Sequence, residues 1–426
     1  MMRARMTRAW LVRMAVGAIL SIAVSGALFA AGSRAPADGF AERFPDLGWE
    51  EIVAEARGQR VFFNMWGGSE PINRFVSEFV ADRVRDRYGV ELVMVPVTDA
   101  SVFVNAVLGE RLAGRNTGGS VDLMWINGEN FRTMRQADLL FGPYSHRLPN
   151  MRYVNTDDPA VRYDFGFPVD GFESPYGSAQ FVLIYDSERV SHPPSSMGAL
   201  LDWIREHPGR FTYPAVPDFT GSVFLRHLFY HVADDPDELL GSFDPVAFDR
   251  LAPRVWEILR DVAPYLWRQG RTYPETSTAL QDLFANGEIW FDMNYNPAHA
   301  ANMVEQGRYP QSTRTMVFED GTIGSNHFVA IPFNASAKAG ALVVANVLLD
   351  PEVQLEKSRP SVWGDYPAID VSRLDPEMRA RFAEVGRHPS SLPPEELFAA
   401  RLPELQADWL EAIESGWIEH VLQRQR

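Results

Sequence analysis

The chain has 426 residues, of which 46% are hydrophobic and 12% aromatic, enough to fill two or three cores. Its formal net charge is −16, and this excess of acidic groups argues against nucleic acid or an anionic membrane surface as a partner. The chain contains no cysteine, which excludes disulfides, thiolate chemistry and lipid attachment through an N-terminal cysteine.

The first 37 residues have the pattern of a secretory signal peptide. Four arginines precede an apolar run from Met14 to Ala31, and small residues follow it, with predicted cleavage after Gly32 or Ala37. The alternative is an uncleaved membrane anchor, because the apolar run is at the short end of a membrane span. An export signal on an acidic, cysteine-free chain indicates the bacterial periplasm or the cell exterior.

A strand, a glycine turn and a helix come next. Val61–Trp66 is short and mostly apolar, which is typical of a strand buried on both faces. Gly67 and Gly68 allow a tight turn, and Ser69 can cap the following helix. Ligands of open α/β sheets bind at the carboxyl ends of strands. This turn is therefore either a structural connection or a ligand contact.

Two further strand–helix units follow. Val90–Val97 predicts a second strand and Val121–Ile126 a third, which leads into a polar turn at Asn127–Asn130 and another helix. Three consecutive units of this kind predict a parallel sheet with right-handed crossovers. The turn at Asn127–Asn130 would then lie at the same edge of the sheet as Gly67–Ser69.

The middle of the chain predicts a second α/β unit. Phe141–Ser178 is long and rich in proline and glycine, which favours a functional loop or a crossing segment. Ala179–Tyr185, Phe211–Pro214 and Ile289–Met293 predict strands, and the last two lead into helices. Strand-like returns and further helices complete the chain.

The sequence shows no catalytic motif. His227 and His231 have the i, i+4 spacing of two zinc ligands, but the glutamate that follows the first histidine in metalloproteases is absent. Gly114–Ser120 lacks the lysine of a phosphate-binding loop, and the carboxylate spacings single out no acid/base pair. We therefore predict no enzyme activity, no cofactor and no metal. A secreted metal-dependent hydrolase is the alternative.

Five stretches resemble the extracellular solute-binding proteins of bacterial ABC importers. The resemblance covers nearly all of residues 40–426. Within this family, the chain resembles more specifically an uncharacterised branch that is related to thiamine-, iron- and polyamine-binding proteins. The chain lacks the Tyr-Tyr pair of iron-binding members, which disfavours iron. The stretches are Phe63–Ser69, Gly118–Phe131, Thr212–Gly221, Asn294–Ala300 and Ala345–Gln354.

This resemblance implies the type II periplasmic binding fold, an α/β fold with two lobes, a mixed, mainly parallel sheet in each lobe, and a cleft between them. Residues 38–185 plus 319–349 would form lobe 1, and residues 186–318 plus 350–426 would form lobe 2. The protein would be a periplasmic monomer that captures a small solute and delivers it to an inner-membrane ABC permease with its ATPase. A solute-sensing adaptor with the same fold is a second alternative.

Turns at strand ends in both halves supply the predicted binding residues. Aromatic side chains would form walls, and Glu129 and Asp365 would face a positive group, which slightly favours a cationic or heteroaromatic solute such as thiamine or a polyamine. Helix N-termini at four of the turns would equally suit an anion. The predicted ligand-binding residues are Trp66, Gly67, Gly68, Ser69, Asn127, Gly128, Glu129, Asn130, Tyr176, Thr220, Gly221, Tyr295, Asn296, Asn326, Trp363 and Asp365.

Overall fold

The computed structural model describes residues 39–385, 387–399 and 401–423. The predicted signal peptide, residues 1–37, lies outside the described residues. Within them, no helix has both the length and the apolar character that crossing a membrane requires.

The described residues form seventeen α-helices and eleven strands. The α-helices are α1 (Phe40–Arg43), α2 (Trp49–Ala56), α3 (Glu70–Arg74), α4 (Ala81–Tyr88), α5 (Ser101–Leu112), α6 (Gly128–Gln136), α7 (Pro159–Arg162), α8 (Met197–Glu206), α9 (Phe219–Val232), α10 (Pro245–Val262), α11 (Ser277–Ala285), α12 (His299–Glu305), α13 (Lys338–Leu348), α14 (Pro351–Ser358), α15 (Pro376–Ala383), α16 (Pro394–Ala399) and α17 (Ala407–Trp417). The strands are β1 (Arg60–Trp66), β2 (Glu91–Val97), β3 (Leu123–Ile126), β4 (Tyr163–Asp164), β5 (Phe167–Pro168), β6 (Glu173–Gln180), β7 (Val182–Asp186), β8 (Phe291–Asn294), β9 (Thr313–Met316), β10 (Thr322–Ala330) and β11 (Arg401–Leu402).

The larger sheet has six strands. Its order is β11-β10-β3-β1-β2, and β6 also pairs with β10. Strand β1 is parallel to both β2 and β3, whereas β10 is antiparallel to β3 and β6. The parallel arrangement predicted for the first three strands is confirmed. The turns after β1 and β3 therefore lie at the same edge of the sheet.

The smaller sheet has three strands in the order β8-β7-β9, and both pairings are antiparallel. The expectation of a mainly parallel sheet in each half is wrong for this one. The strand expected at Phe211–Pro214 does not form. Instead, the carbonyl of Phe211 accepts from the amide of Trp267 (2.8 Å), and Ala215 N–H donates to the Pro274 carbonyl (2.8 Å). Pro214 and Pro217 have no N–H for a strand ladder, which disfavours pairing here.

The chain passes between the two sheets at two places near each other in the fold. The strand predicted at Ala179–Tyr185 is in fact two strands, because β6 ends at Gln180 in the larger sheet and β7 begins at Val182 in the smaller one. The return runs from β9 to β10. The loop predicted at Phe141–Ser178 is wrong in its last part, where Glu173–Gln180 is a fully buried strand. Its proline, glycine and polar residues hide any apolar alternation.

Two large hydrophobic cores surround the two sheets. The first core lies on the larger sheet with α2, α4 and α13, and it contains Phe63, Val343 and, from the chain beyond α13, Val353 and Trp363. The second core joins β7 and β8 to α8, α9, α10 and α17 through residues such as Phe224. All eleven residues of α13 are buried, which agrees with its mainly apolar sequence. A smaller cluster from α5 and α6 covers the opposite face of the larger sheet.

Candidate functional site

The turn after β1 presents an aromatic surface. Trp66 ends the strand and is 39% exposed. Its indole lies over Gly68, where an added Cβ would come within 2.1 Å of the ring, and a Cβ on Gly67 would lie 2.6 Å from Pro96 Cβ. Both glycines are therefore needed for close approach rather than for positive φ. Ser69 precedes α3 but makes no side-chain cap bond.

The turn after β3 is fixed by neighbouring polar groups. The Asn127 amide donates to the carbonyl of Asn326 (2.8 Å), and Gly128 N–H donates to the carboxyl of Asp164 (2.6 Å). The Asn326 amide in turn donates to the Ala160 carbonyl (2.8 Å). Burial raises the pKa of Asp164 to about 8. Because Asp164 already accepts the Gly128 amide, that N–H at the start of α6 is not free for an anion.

Glu129 is the acidic group of this turn. Its carboxyl accepts from the Asn130 amide (2.7 Å) and has no ion-pair partner in the described chain. Burial raises the pKa of Glu129 to about 7, and the negative charge of Glu414 on α17 contributes to the increase. The charge of Arg226 on α9 has the opposite effect. Glu129 therefore lies within electrostatic range of helices that belong to the second core.

Backbone N–H groups in the first turn of α9 are already bonded to the capping residue Asp218. The Asp218 carboxylate accepts from Thr220 N–H (2.9 Å) and Gly221 N–H (3.1 Å). A Cβ on Gly221 would lie 2.1 Å from the Pro214 carbonyl oxygen. These contacts give Thr220 and Gly221 a packing and capping role, and Phe219, which is 42% exposed, is the accessible residue of this turn.

The turn after β8 brings Tyr295 beside Phe219, with 5.1 Å between the ring centroids. The Tyr295 hydroxyl donates to Glu404 (2.7 Å), and Asn296 is occupied locally because its side chain accepts from Ala298 N–H (3.0 Å). Glu404 also forms a buried ion pair with Arg226 (2.8 Å). The sequence reasoning did not find Arg226 and Glu404. The available signal was a single arginine in a helix that contains no acidic residue.

Tyr176, Trp363 and Asp365 lie together, but they are buried. The aromatic cluster of Trp125, Tyr176, His327 and Trp363 has ring centroids 4.7–6.3 Å apart, so the rings pack on each other. The residues that were expected to surround a cationic solute instead surround Lys357, whose ammonium group lies 5.3 Å and 5.7 Å from the Trp363 and Tyr176 ring centroids.

Asp365 is the acidic partner of this internal cation. Its carboxylate lies 3.0 Å from Lys357 Nζ, and the ammonium group also donates to the Tyr176 carbonyl. Burial raises the pKa of Asp365 to about 6 in spite of the lysine, and burial lowers the pKa of Lys357. Asp365 therefore already has a cationic partner within the chain, whereas Glu129 has none among the described residues.

The predicted binding residues thus form separate groups at different turns and do not line one open cavity. Three grooves of 430–550 Å³ are present on the described protein, and no predicted binding residue lines any of them. An ion pair between Arg132 on α6 and Asp408 on α17 (2.5 Å) joins a helix on the larger sheet to a helix of the second core. In this conformation, α6 on the larger sheet and α17 of the second core are therefore in contact.

The histidines considered as zinc ligands do not form a metal site. His227 is buried, its Nδ1 lies 2.7 Å from the Val223 carbonyl, and its Nε2 accepts from Ile323 N–H (2.9 Å). Both ring nitrogens are therefore occupied. Among the described residues no group of three or more histidine, aspartate or glutamate side chains is placed to hold a metal ion.

The chain thus forms an α/β protein that crosses between two sheets, with polar turns at strand ends of the larger sheet. The sequence pattern of the family described as "Bacterial extracellular solute-binding protein" matches residues 80–383. The chain belongs to this family. It is also 41% identical over 370 residues to Protein YnjB of Escherichia coli (strain K12), which covers 87% of this chain and 93% of the relative.

Solved structures show the same fold at low sequence identity. An ABC transporter protein from Clostridium perfringens has a TM-score of 0.60 at 14% identity, covering 86% of this chain and all of that one. The spermidine/putrescine substrate-binding protein PotD from Streptococcus pneumoniae has a TM-score of 0.61 at 12% identity, covering 86% and 99%. AfuA from Actinobacillus pleuropneumoniae, solved with fructose-6-phosphate, has 0.58 at 13%, covering 85% and 98%.

These comparisons confirm the resemblance to the solute-binding proteins of ABC importers, the type II periplasmic binding fold and the prediction of a solute-binding protein. The secreted hydrolase and the adaptor are not favoured. The structural neighbours include proteins whose names mention a polyamine and a sugar phosphate, so the fold does not select a solute.

Proposed function

We propose that this protein captures a small solute in the periplasm, between its two large cores, and delivers it as a monomer to an inner-membrane ABC permease with its ATPase. The observation that carries this proposal is the ion pair between Arg132 on α6 and Asp408 on α17 (2.5 Å), which brings Glu129, in the first turn of α6, to the side of the larger sheet that meets a helix of the second core. The role requires no catalysis, because differential affinity for open and closed conformations is enough.

The two lobes of the proposal correspond to the two cores. Residues 39–180 plus 319–349 form most of lobe 1, and residues 182–318 with the C-terminal helices form most of lobe 2, because Val182, Leu183 and Ile184 belong to the second core. We place 351–374 with lobe 1, since Val353, Trp363 and Leu374 belong to the first core. The crossings at Gln180–Val182 and between β9 and β10 then act as the hinge.

The proposed contacts divide into two layers. We place Trp66, Glu129 and Asn130 of lobe 1 and Phe219 and Tyr295 of lobe 2 in contact with the solute. The other predicted residues hold this surface from behind through capping, packing or the Lys357 ion pair. They are Gly67, Gly68, Ser69, Asn127, Gly128, Tyr176, Thr220, Gly221, Asn296, Asn326, Trp363 and Asp365.

The charge of the surface favours a cationic solute. Arg226 is paired with Glu404 and Arg132 with Asp408. Within the described chain, by contrast, Glu129 has no ion-pair partner, and the Glu414 carboxyl accepts from the Ser222 hydroxyl (2.5 Å) rather than pairing with a cation. The exposed rings of Trp66 and Phe219 add surfaces that attract a cation. A polyamine or a thiamine-like cation fits this combination.

A thermal-shift screen of the purified protein tests the proposal. The panel contains spermidine, thiamine, neutral sugars, inorganic phosphate and carboxylates. A ligand at one hundred times its Kd adds about 2.7 kcal/mol to the free energy of unfolding, which is several degrees in Tm. We expect cations to raise the Tm. A panel in which no compound raises it would contradict solute capture, and a response to anions alone would contradict the cationic preference.

A further inference from the structure

The C-terminal segment Arg401–Trp417 contacts elements around both cores. Its first two residues pair in parallel with β10, at Thr322 and Ile323. The Gln406 amide donates to the Gly166 carbonyl (3.2 Å), and Asp408 pairs with Arg132 on α6. Its helix α17 is anchored in the second core by buried tryptophans. The segment therefore follows the boundary at which we place the solute.

Glu404 is the buried acidic residue of this segment, with 8% of its surface exposed. Its Oε1 lies 2.8 Å from Arg226 Nε, and its Oε2 accepts from Arg226 Nη2 (3.2 Å) and from the Tyr295 hydroxyl (2.7 Å). One carboxylate thus holds both a buried guanidinium and the phenol of a proposed contact residue. Bonds in which one partner is charged are the stronger kind in proteins.

Arg226 extends this arrangement to a second aromatic residue. Its side chain is fully buried, and its guanidinium lies 5.7 Å from the ring of Phe219 and 5.9 Å from that of Phe165. Phe219 in turn packs beside Tyr295. The orientation of both aromatic side chains on the lobe 2 face therefore depends on the position of one ion pair.

We infer that Glu404 is a positioning residue of the solute site, which fixes the Tyr295 phenol and cancels the positive charge of Arg226 behind Phe219. This inference rests on the proposed function. Glu404 does not itself contact the solute. It determines that the solute meets an aromatic wall without excess positive charge, so that the carboxylates of Glu129 and Glu414 set the electrostatic preference.

The buried charge of Arg226 leads to an expected result that a purely structural role of Glu404 would not produce. Removing the Glu404 charge leaves Arg226 buried without its ion-pair partner, and a buried unpaired charge is strongly unfavourable. An anion bound in the cleft would relieve this cost, so the variant gains affinity for anions while it loses affinity for cations. General loosening of the fold would weaken both.

The experiment compares the wild type with Glu404→Gln, Tyr295→Phe and the double variant. Glu411→Gln is the matched control, because Glu411 is an exposed glutamate of the same segment. Calorimetric titrations use spermidine, thiamine and inorganic phosphate as probes, and denaturation curves confirm folding. We expect Glu404→Gln and Tyr295→Phe each to weaken cation binding about tenfold, with the double variant no weaker than about the worse single one. Only the two variants that carry Glu404→Gln should gain phosphate binding.

If Glu404→Gln does not fold, Tyr295→Phe still tests the phenol bond without creating a buried charge. Wild-type cation affinity in Tyr295→Phe, or wild-type affinity for every probe in a folded Glu404→Gln, would overturn the inference and leave the proposed function standing. A wild type that binds none of the probes would overturn the proposed function, and the inference with it.

Discussion

The ammonium group of Lys357 lies 3.0 Å from the carboxylate of Asp365, and both side chains are almost completely buried. Two of the rings around them, Tyr176 and Trp363, are at cation–π distance. The site that the sequence suggested for a positively charged ligand thus contains a positive group of the chain itself. Since Lys357 also donates to the Tyr176 carbonyl on β6, this pair stabilises the packing of β6 against α14 and the loop that follows it.

Breaking this pair should destabilise the protein. Lys357→Met leaves Asp365 buried without its cation, and removal of one partner of a buried pair costs about 3–5 kcal/mol. The double variant Lys357→Met/Asp365→Leu replaces both charges by apolar groups and should recover much of that loss. Urea denaturation measures the free energy of unfolding of all three proteins. A single variant as stable as the wild type would contradict the importance of the pair.

Trp66 should contribute to solute binding more than to stability. Trp66→Ala removes a ring that is 39% exposed, and loss of an aromatic contact in a binding site costs about 1–3 kcal/mol, or roughly fivefold to 150-fold in Kd. Leu112→Ala is the control, because Leu112 is 81% exposed and lies at the end of α5. Titration with the cation found in the screen gives the affinities. Equal affinities for Trp66→Ala and wild type would remove this turn from the site.

Cation binding should depend on pH through Glu129. The pKa of Glu129 is raised to about 7, so its carboxyl is largely protonated at pH 6 and largely ionised at pH 8. Affinity for a cation should therefore rise by several-fold to about tenfold between these values. Glu129→Gln should bind weakly at both pH values, with a much smaller change between them. A flat wild-type profile would show that the cation does not contact Glu129.

The Arg132–Asp408 pair should favour the conformation in which α6 and α17 are in contact. Both side chains are partly exposed, so the pair is expected to contribute less than about 1 kcal/mol, and Asp408→Asn should weaken solute binding by at most about fivefold. High salt should reduce the difference. Disruption of the Arg205–Asp261 pair is the control, since it joins two helices of the second core. An equal effect of both changes on affinity would contradict the role of the first pair.

Much of lobe 1 could be predicted from the sequence because its signals are local. Buried strands, glycine turns and helix periodicity identify the units that begin at β1, β2 and β3, and neighbouring parallel strands place their turns at one edge. The location of Trp66 and Glu129 at that edge was therefore predictable. The family resemblance supplied the two-lobed architecture, which local periodicity alone does not specify.

The remaining features depend on contacts between residues far apart in the chain. Nothing near Glu173–Gln180 predicts a strand, because its pairing with β10 comes from residues 322–330. Lys357 decides that Asp365 has an internal cation, and Glu404 decides that the buried Arg226 has an ion-pair partner, each across a separation in sequence that no local pattern spans. The chain by itself determined which residues can be buried and where turns can form. Only the tertiary structure decided which charges have partners, because pairing is set by distances that the sequence does not contain.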